Sequence, residues 1–409
     1  METHHINYKI PKEAEGTYFS IPFHVPANLE RITVSYQYDG GVVDLGLMGV
    51  KEKFLGWSGS ARSSIWVGPH SATPGYCMVP ITPGEWQILV GAYKIPSNGV
   101  EVHYTIEYHL QKYRWLKGDL HMHSDASDGQ HDIYTLAKHA IKKNLDFIAV
   151  TNHNNYNENF NLPKVSGLTI IPAVEWTHYK GHMNFYGVAA PFNNFIANSN
   201  EDMIAIVSKA KEKGALISVC HPRDKGCGYL WQSRDIFDMV EVWNGPMRPT
   251  NVDGIKWWHE RLLEGRKVPL IGGSDYHRGL FPVLIAHPTT HVYAKSPCVS
   301  DILEALKNGH AYVTSSPNGI TLNFKADDVM MGDTVPWRDG LTFDITAKGL
   351  GVGMKVRLVT SNSVINLQGS SGQVQALPSW KFAYVVILRK ILNFERIAAI
   401  SNPIYIAQK

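Results

Sequence analysis

Between Leu116 and Thr314, short apolar runs alternate with stretches of helical periodicity, and this alternation limits the possible folds more than any other feature of the chain. The apolar runs are 147–150, 168–174, 216–219, 239–242 and 270–272, and the helical stretches are 133–143, 201–213, 255–263 and 299–308. Strand–helix alternation sustained over roughly 200 residues predicts a parallel sheet with helices outside it, either a barrel or a doubly wound sheet. Asp132 stands where the first helix should begin, with the sign of charge that a helix N-terminus favours.

The flanks read differently. From about Gly16 to Tyr113, strand-like runs such as 31–36, 86–90 and 100–106 are broken by Asp39-Gly40-Gly41, Pro74-Gly75, Pro83-Gly84 and Ser97-Asn98-Gly99. Alternation with frequent turns and no helix predicts an antiparallel β-sandwich. After Ser316 the helices stop, and 320–325, 341–347 and 382–388 read as strands of a second small β-sandwich. The expected division is therefore 1–113, 114–315 and 316–409, in keeping with roughly 150 residues per domain. Both sandwiches are expected to pack on the middle segment, with glycan or partner binding as the alternative.

Composition narrows the function classes. Charged residues are 18% and the net charge is +3, which leaves no concentrated basic face for nucleic acid. Lys209 and Lys211 read as the solvated side of a helix. The four cysteines, Cys77, Cys220, Cys227 and Cys298, are too few for a disulfide framework and contain no CxxC pair, so reduced thiols are expected. No apolar run approaches the roughly eighteen residues of a membrane span, and the charged first thirty residues do not resemble a signal peptide. A cytoplasmic protein without membrane or nucleic-acid partners is the expectation.

Ligand-type residues fall repeatedly at the ends of the middle-segment runs, where parallel α/β folds build their active sites. His121 and His123 close Gly118-Asp119-Leu120-His121-Met122-His123, and residues two apart on a strand face the same way. Asp128 follows in a loop. His153 comes just after 147–150, Glu175 ends 168–174, and His221 follows 216–219. Asp275 and His277 repeat the two-residue spacing after 270–272. Burying so many ionisable groups without counter-ions would cost several kcal/mol each, by order of magnitude. A cluster of divalent cations removes that cost.

The quoted stretches, with Ser127-Asp128-Gly129, Thr151-Asn152-His153-Asn154, Cys220-His221-Pro222 and Gly273-Ser274-Asp275-Tyr276-His277, resemble the four motifs of the polymerase and histidinol phosphatase (PHP) domain. The flanking β-domains and Gly181-His182-Met183-Asn184 resemble the carbaryl-hydrolase-like branch of those metallohydrolases. The resemblance implies a distorted, TIM-like (β/α) barrel of seven strands between the two sandwiches, holding two to three divalent ions. It assigns His121, His123, Glu175 and Asp275 to a first ion and Asp128, His153 and His277 to a second. Glu175 would bridge to a third ion held by His182 and His221. Imidazole and carboxylate donors suit zinc, iron or manganese. Where the family's second motif reads Thr-Asp-His, this chain has Asn152, which cannot exchange a proton but can hydrogen-bond a ligand or substrate.

Three divalent ions outweigh Asp128, Glu175, Asp275 and one bridging hydroxide, so the site should attract an anion. A phosphate ester of a small molecule is the expected substrate, attacked by a metal-activated water. Arg223 and Arg278, beside His221 and His277, could grip phosphate oxygens; the plainer reading makes them rim ion pairs. Asp275, Asn152, Arg223 and Arg278 are the candidate catalytic residues. His178 competes with His182 for the third-ion role, and His182 is favoured because it opens the strand-like 183–188. Cys220 reads as a small buried strand residue. Hydrolysis of a carboxyl, amide or carbamate ester is the alternative activity, with an aromatic wall in place of the arginines. A non-catalytic metal-dependent binding module and a nucleic-acid exonuclease follow.

Overall fold

The computed structural model describes residues 2–233, 235–391 and 394–407. They fall into two compact units, one of residues 1–113 with 164–167, the other of 114–163 with 168–409.

The first unit is two four-stranded antiparallel sheets. One orders Glu2–Ile10, Val100–Leu110, Leu29–Tyr38 and Ser64–Val67; the other orders Tyr18–Val25, Gly84–Lys94, Val42–Gly49 and Lys53–Gly59. Alternation puts Ile32, Val34 and Tyr36 of one strand, and Val102, Tyr104 and Ile106 of its neighbour, in a core shared with Leu45, Ile88 and Val90 of the other sheet. Full burial of each aliphatic side chain contributes about 1.5–3 kcal/mol. The strand Glu2–Ile10 lies before Gly16, where the sequence reading begins. Of its residues only Ile10 is buried, so it carries no apolar alternation to find.

The second unit is mixed α/β, with much sheet and four α-helices among the described residues: Ile133–Lys142, Asn200–Glu212, Pro249–Leu263 and Val299–Lys307. Asp132 caps the first helix through the Thr135 N–H. Ser199 and Asp202 form a capping box on the second. The third begins at Pro249 rather than Ile255, because proline is tolerated in the first helical turn.

One hydrogen-bonded path orders Leu270–Gly273, Met239–Asn244, Leu216–Val219, Met183–Tyr186, Thr169–Trp176, Phe147–Val150, Arg114–Asp119, Thr289–Ala294 and Ala311–Thr314. The expected all-parallel arrangement does not hold. Met183–Tyr186 is antiparallel to both neighbours, and Thr289–Ala294 is antiparallel to Arg114–Asp119. The first reversal is a hairpin of Thr169–Trp176 with Met183–Tyr186, the second a return after the segment that follows His277. Beyond Arg114–Asp119 the chain bonds to the segment after Leu270–Gly273: Asp275 N–H donates to His121 O at 2.8 Å and His123 N–H to Tyr276 O at 2.8 Å. The Thr290 hydroxyl also accepts from Gly272 N and donates to Gly272 O.

The C-terminal strands extend the same path, as Tyr312, Val313 and Thr314 pair with Ser401, Ile400 and Ala399. Phe394–Ser401 then pairs with Phe382–Ile391, and that strand with Met354–Thr360. A separate four-stranded sheet, Val329–Met330, Thr321–Ala326, Thr342–Lys348 and Ser371–Gln375, shares a core with these strands around Phe324, Phe343 and Val385. Buried Asn402 bonds the backbone of Leu270 and Ala311 at 2.7–3.1 Å, fastening the C-terminal strands to the central ones.

Candidate metal centre

All nine candidate ligands meet at one edge of the central strands. The C-terminal ends of Arg114–Asp119, Phe147–Val150, Thr169–Trp176, Leu216–Val219 and Leu270–Gly273 lead into His121 and His123, His153, Glu175, His221, and Asp275 and His277. His182 precedes its strand rather than following it. Because Met183–Tyr186 runs the other way, its beginning lies at the edge where the others end, and His182 Nδ1 comes to 2.8 Å from Glu175 Oε1.

The donors form three contiguous groups. In the buried first group, His121 Nε2 lies 3.4 Å from both Glu175 Oε2 and Asp275 Oδ1. His123 Nε2 lies 3.0 Å from Asp275 Oδ1 and 3.5 Å from Glu175 Oε2. Ligands about 2.0–2.1 Å from a tetrahedral ion stand roughly 3.3 Å apart, so this set has the span of one coordination shell. The second group is open to solvent: Asp128 Oδ1 lies 3.3 Å from His277 Nε2 and 3.6 Å from His153 Nε2. His123 flanks it, its ring 4.1 Å from that of His277 and 4.3 Å from that of His153. The third group is Glu175 Oε1, His182 Nδ1 and His221 Nε2, with the last 3.5 Å from the carboxylate.

Three atoms in this cluster, His121 Nε2, His123 Nδ1 and Glu175 Oε2, are buried with no well-aligned hydrogen-bond partner, although His153 Nδ1 lies 2.9 Å from Glu175 Oε2. Most buried polar atoms in native proteins have a partner, and unpartnered atoms on donors that converge on one point fit a bound cation. Two candidate ligands also hold left-handed backbone, His221 at φ 29° and Asp275 at φ 51°. Such conformations cost non-glycine residues of order 1–3 kcal/mol and collect at functional sites.

Burial opposes charge on His121, yet Glu241, Asp275 and Glu175 hold its imidazolium well above the usual histidine range. Burial would raise Glu175, but His121, His153 and His182 hold it well below the usual carboxylate range. Burial dominates at His123 and lowers it to about 4. The carboxylates of Glu175, Glu241 and Asp275 thus lie against the imidazoles of His121, His123, His153 and His182 at 2.8–3.5 Å. Burial pushes the Cys220 thiol up, and the residue lies buried just past the end of Leu216–Val219 rather than within that strand.

Several supporting residues carry little or no signal in a single sequence. Glu241 is 1% exposed and accepts from His121 Nδ1 at 3.0 and 3.1 Å and from the His221 N–H. Asn244 donates to Glu241 and to Asp275 at 3.2 and 3.3 Å. Asp119 accepts from the N–H groups of His121, Ser274 and Ala286, fixing the chain on both sides of the first group. Thr177 Oγ1 lies 2.6 Å from His153 Nδ1, and Cys227 Sγ 3.4 Å from His221 Nδ1. A lone Glu inside the apolar run Met239-Val240-Glu241-Val242-Trp243 is the one such signal that a reader could have taken up.

The other candidates divide. Asn152 makes its side-chain hydrogen bonds to Ser124, Ser127 and Glu158, and so braces the loop that carries Asp128. Arg223 and Arg278 are exposed and make no ion pair among the described residues, so they are not the rim pairs that the plainer reading made of them. His178 lies outside the cluster: it stacks on Trp176 and bonds Ala197 O.

Fold and site together define a mixed α/β chain with a histidine–carboxylate cluster suited to divalent ions. Residues 119–220 match the PHP domain, a span that includes His121, His123, Asp128, His153, Glu175 and His182. The DNA polymerase/3'-5' exonuclease PolX of Bacillus subtilis is 39% identical over 77 residues, 19% of this chain and 13% of that protein. A two-domain protein of Bacteroides vulgatus, described as containing a PHP-like metal-dependent phosphoesterase, is similar in structure at 20% identity and TM-score 0.41, over 71% of this chain and 95% of its own. The lesion-specific endonuclease PfuEndoQ of Pyrococcus furiosus is similar at 16% identity and TM-score 0.37, over 49% of this chain and 58% of its own.

Proposed function

We propose that this protein is a metal-dependent phosphoesterase acting on a small phosphorylated substrate. The convergence of the nine donors around three orphaned buried atoms carries the reading. His121, His123, Glu175 and Asp275 would hold one ion; Asp128, His153 and His277 a second; Glu175, His182 and His221 a third. Divalent ions bound there supply Lewis acidity and a water of lowered pKa. Glu241 orients His121, and Asn152 positions the Asp128 loop. Arg223 and Arg278, on loops that follow candidate ligands and without an ion pair among the described residues, bind the phosphate oxygens. Zinc, iron and manganese all suit the donor set.

We read the strands from Arg114 to Gly273 as a distorted seven-stranded barrel, which the backbone bonds of His121 and His123 with Asp275 and Tyr276 support. Segment 1–113 is read as a separate β-domain, 316–409 as a β-rich segment continuous with the central sheet, and the protein as cytoplasmic; no helix among the described residues is long and apolar enough to cross a membrane.

A second reading, hydrolysis of a carboxyl or carbamate ester, is favoured by the apolar side chains Tyr179, Phe195 and Ile196 beside His182. A screen of phosphomonoesters, phosphodiesters including single-stranded DNA, and carboxyl and carbamate esters, with and without chelator, tests both. Chelator-sensitive turnover of small phosphoesters is expected. Turnover of carbamates alone would transfer the assignment to the second reading, and turnover of DNA alone would remove the small-molecule substrate.

A further inference from the structure

We infer that the cavity beside His182 receives an uncharged apolar ring on the alcohol part of the phosphoester, an inference that rests on the phosphoesterase reading and specifies its substrate. The cavity measures about 490 Å³, within the range of small-molecule sites. It adjoins the third ligand group on two sides. His182 reaches Glu175, and Cys227 holds Nδ1 of His221. A group filling the cavity is therefore next to the reacting centre and not at a remote surface.

The wall chemistry selects the occupant. Tyr179, Phe195 and Ile196 line it and are 96%, 45% and 58% exposed. Large apolar side chains left in water around one concavity mark a surface that an apolar partner covers. Two polar side chains of the wall are already engaged, while Asn198 and the Tyr179 hydroxyl can offer an uncharged hydrogen bond at its rim. The Asn154 amide bonds both backbone groups of Thr177, and His178 bonds Ala197 O and the Lys180 N–H. Among the described residues no Lys, Arg, Asp or Glu lines the cavity, so a leaving group with a second phosphate or a carboxylate has no counter-charge there. What remains is mainly ring faces and aliphatic surface with uncharged polar groups, which suit a neutral ring.

The test compares benzyl with ethyl derivatives, whose alcohols are of similar acidity, so that reactivity does not imitate recognition. With the protein as purified with its metal, benzylphosphonate should bind about tenfold or more tighter than ethylphosphonate, by calorimetry. Phosphonates are not hydrolysed, so this reading is independent of turnover. Benzyl phosphate should show the matching advantage in kcat/KM. Phe195→Ala and Tyr179→Ala, both at exposed positions, should remove most of the benzyl advantage through KM and leave ethyl phosphate unchanged. Equal affinities for the two phosphonates, or variants that weaken both alike, would overturn the assignment. A benzyl preference in binding without turnover of any phosphoester would support the cavity and refute the phosphoesterase reading.

Discussion

His121 Nδ1 is held by Glu241, which leaves Nε2 facing Glu175 and Asp275; a carboxylate behind a metal-binding imidazole fixes its tautomer and orientation. Glu241→Gln should therefore lower metal affinity about 10–100-fold, measured by competition with a chromophoric chelator, with the fold retained. Affinity unchanged in that variant would make Glu241 a bystander. Removing a ligand is more severe: Asp275→Ala or His123→Ala should abolish turnover while circular dichroism stays that of a folded protein. Most of the candidate ligands were legible because they follow strand-like runs, whereas Asp128 stands in a loop and His182 just before its strand. Their supports were not. Glu241 sits inside a run, Asp119 looks like one more residue of a motif, Thr177 becomes a partner only when two loops meet, and Cys227 only through the turn of the loop after His221. Asn152 was singled out for its departure from a motif, and the structure gives that departure a content, since the amide serves both Ser124 and Glu158 at once.

Strand direction is where the sequence pattern ran out. A short strand-like run has the same appearance in either direction, so Met183–Tyr186 was readable as a strand but not as a reversed one. The reversal brings His182 to the ligand edge. Two close approaches make specific demands on these elements. A Cβ on Gly273 would lie 2.4 Å from His121 Cβ and 2.6 Å from Glu241 Oε1. Gly273→Ala should cost about 1–3 kcal/mol and displace His121, seen as loss of metal affinity in a protein with a lowered unfolding midpoint. His291, on Thr289–Ala294, is 8% exposed, stacks on Tyr312 and bonds Thr314; burial, then Lys117, lowers it to about 3. Its unfolded value is about 6.5, so the unfolded chain takes up a proton there first as pH falls. Stability from neutral His291 is thus full above pH of about 6.5 and is lost as pH falls towards about 3. Urea midpoints across that window should decline less steeply in His291→Gln, and an unchanged slope would remove His291 from the account.

Over the second unit as a whole, the central sheet does not stop at the expected boundary near residue 315. Thr314 pairs with Ala399, and Asn402 fastens to Leu270, so the C-terminal strands and the ligand-bearing strands belong to one hydrogen-bonded sheet. Composition and turn spacing revealed that the helices end there, but a pairing between strands more than eighty residues apart leaves no local trace. Ions bound to the folded state alone would stabilise this unit by mass action, about 2.7 kcal/mol at a hundredfold excess over Kd. Chelation should then lower the unfolding temperature as well as abolish activity. The most direct measurement is elemental analysis of the purified protein beside its Asp275→Ala variant, with turnover assayed on the same samples. At least two transition-metal ions per chain are expected, with both metal and activity reduced in the variant. A metal-free sample that still turns over substrate would contradict the account.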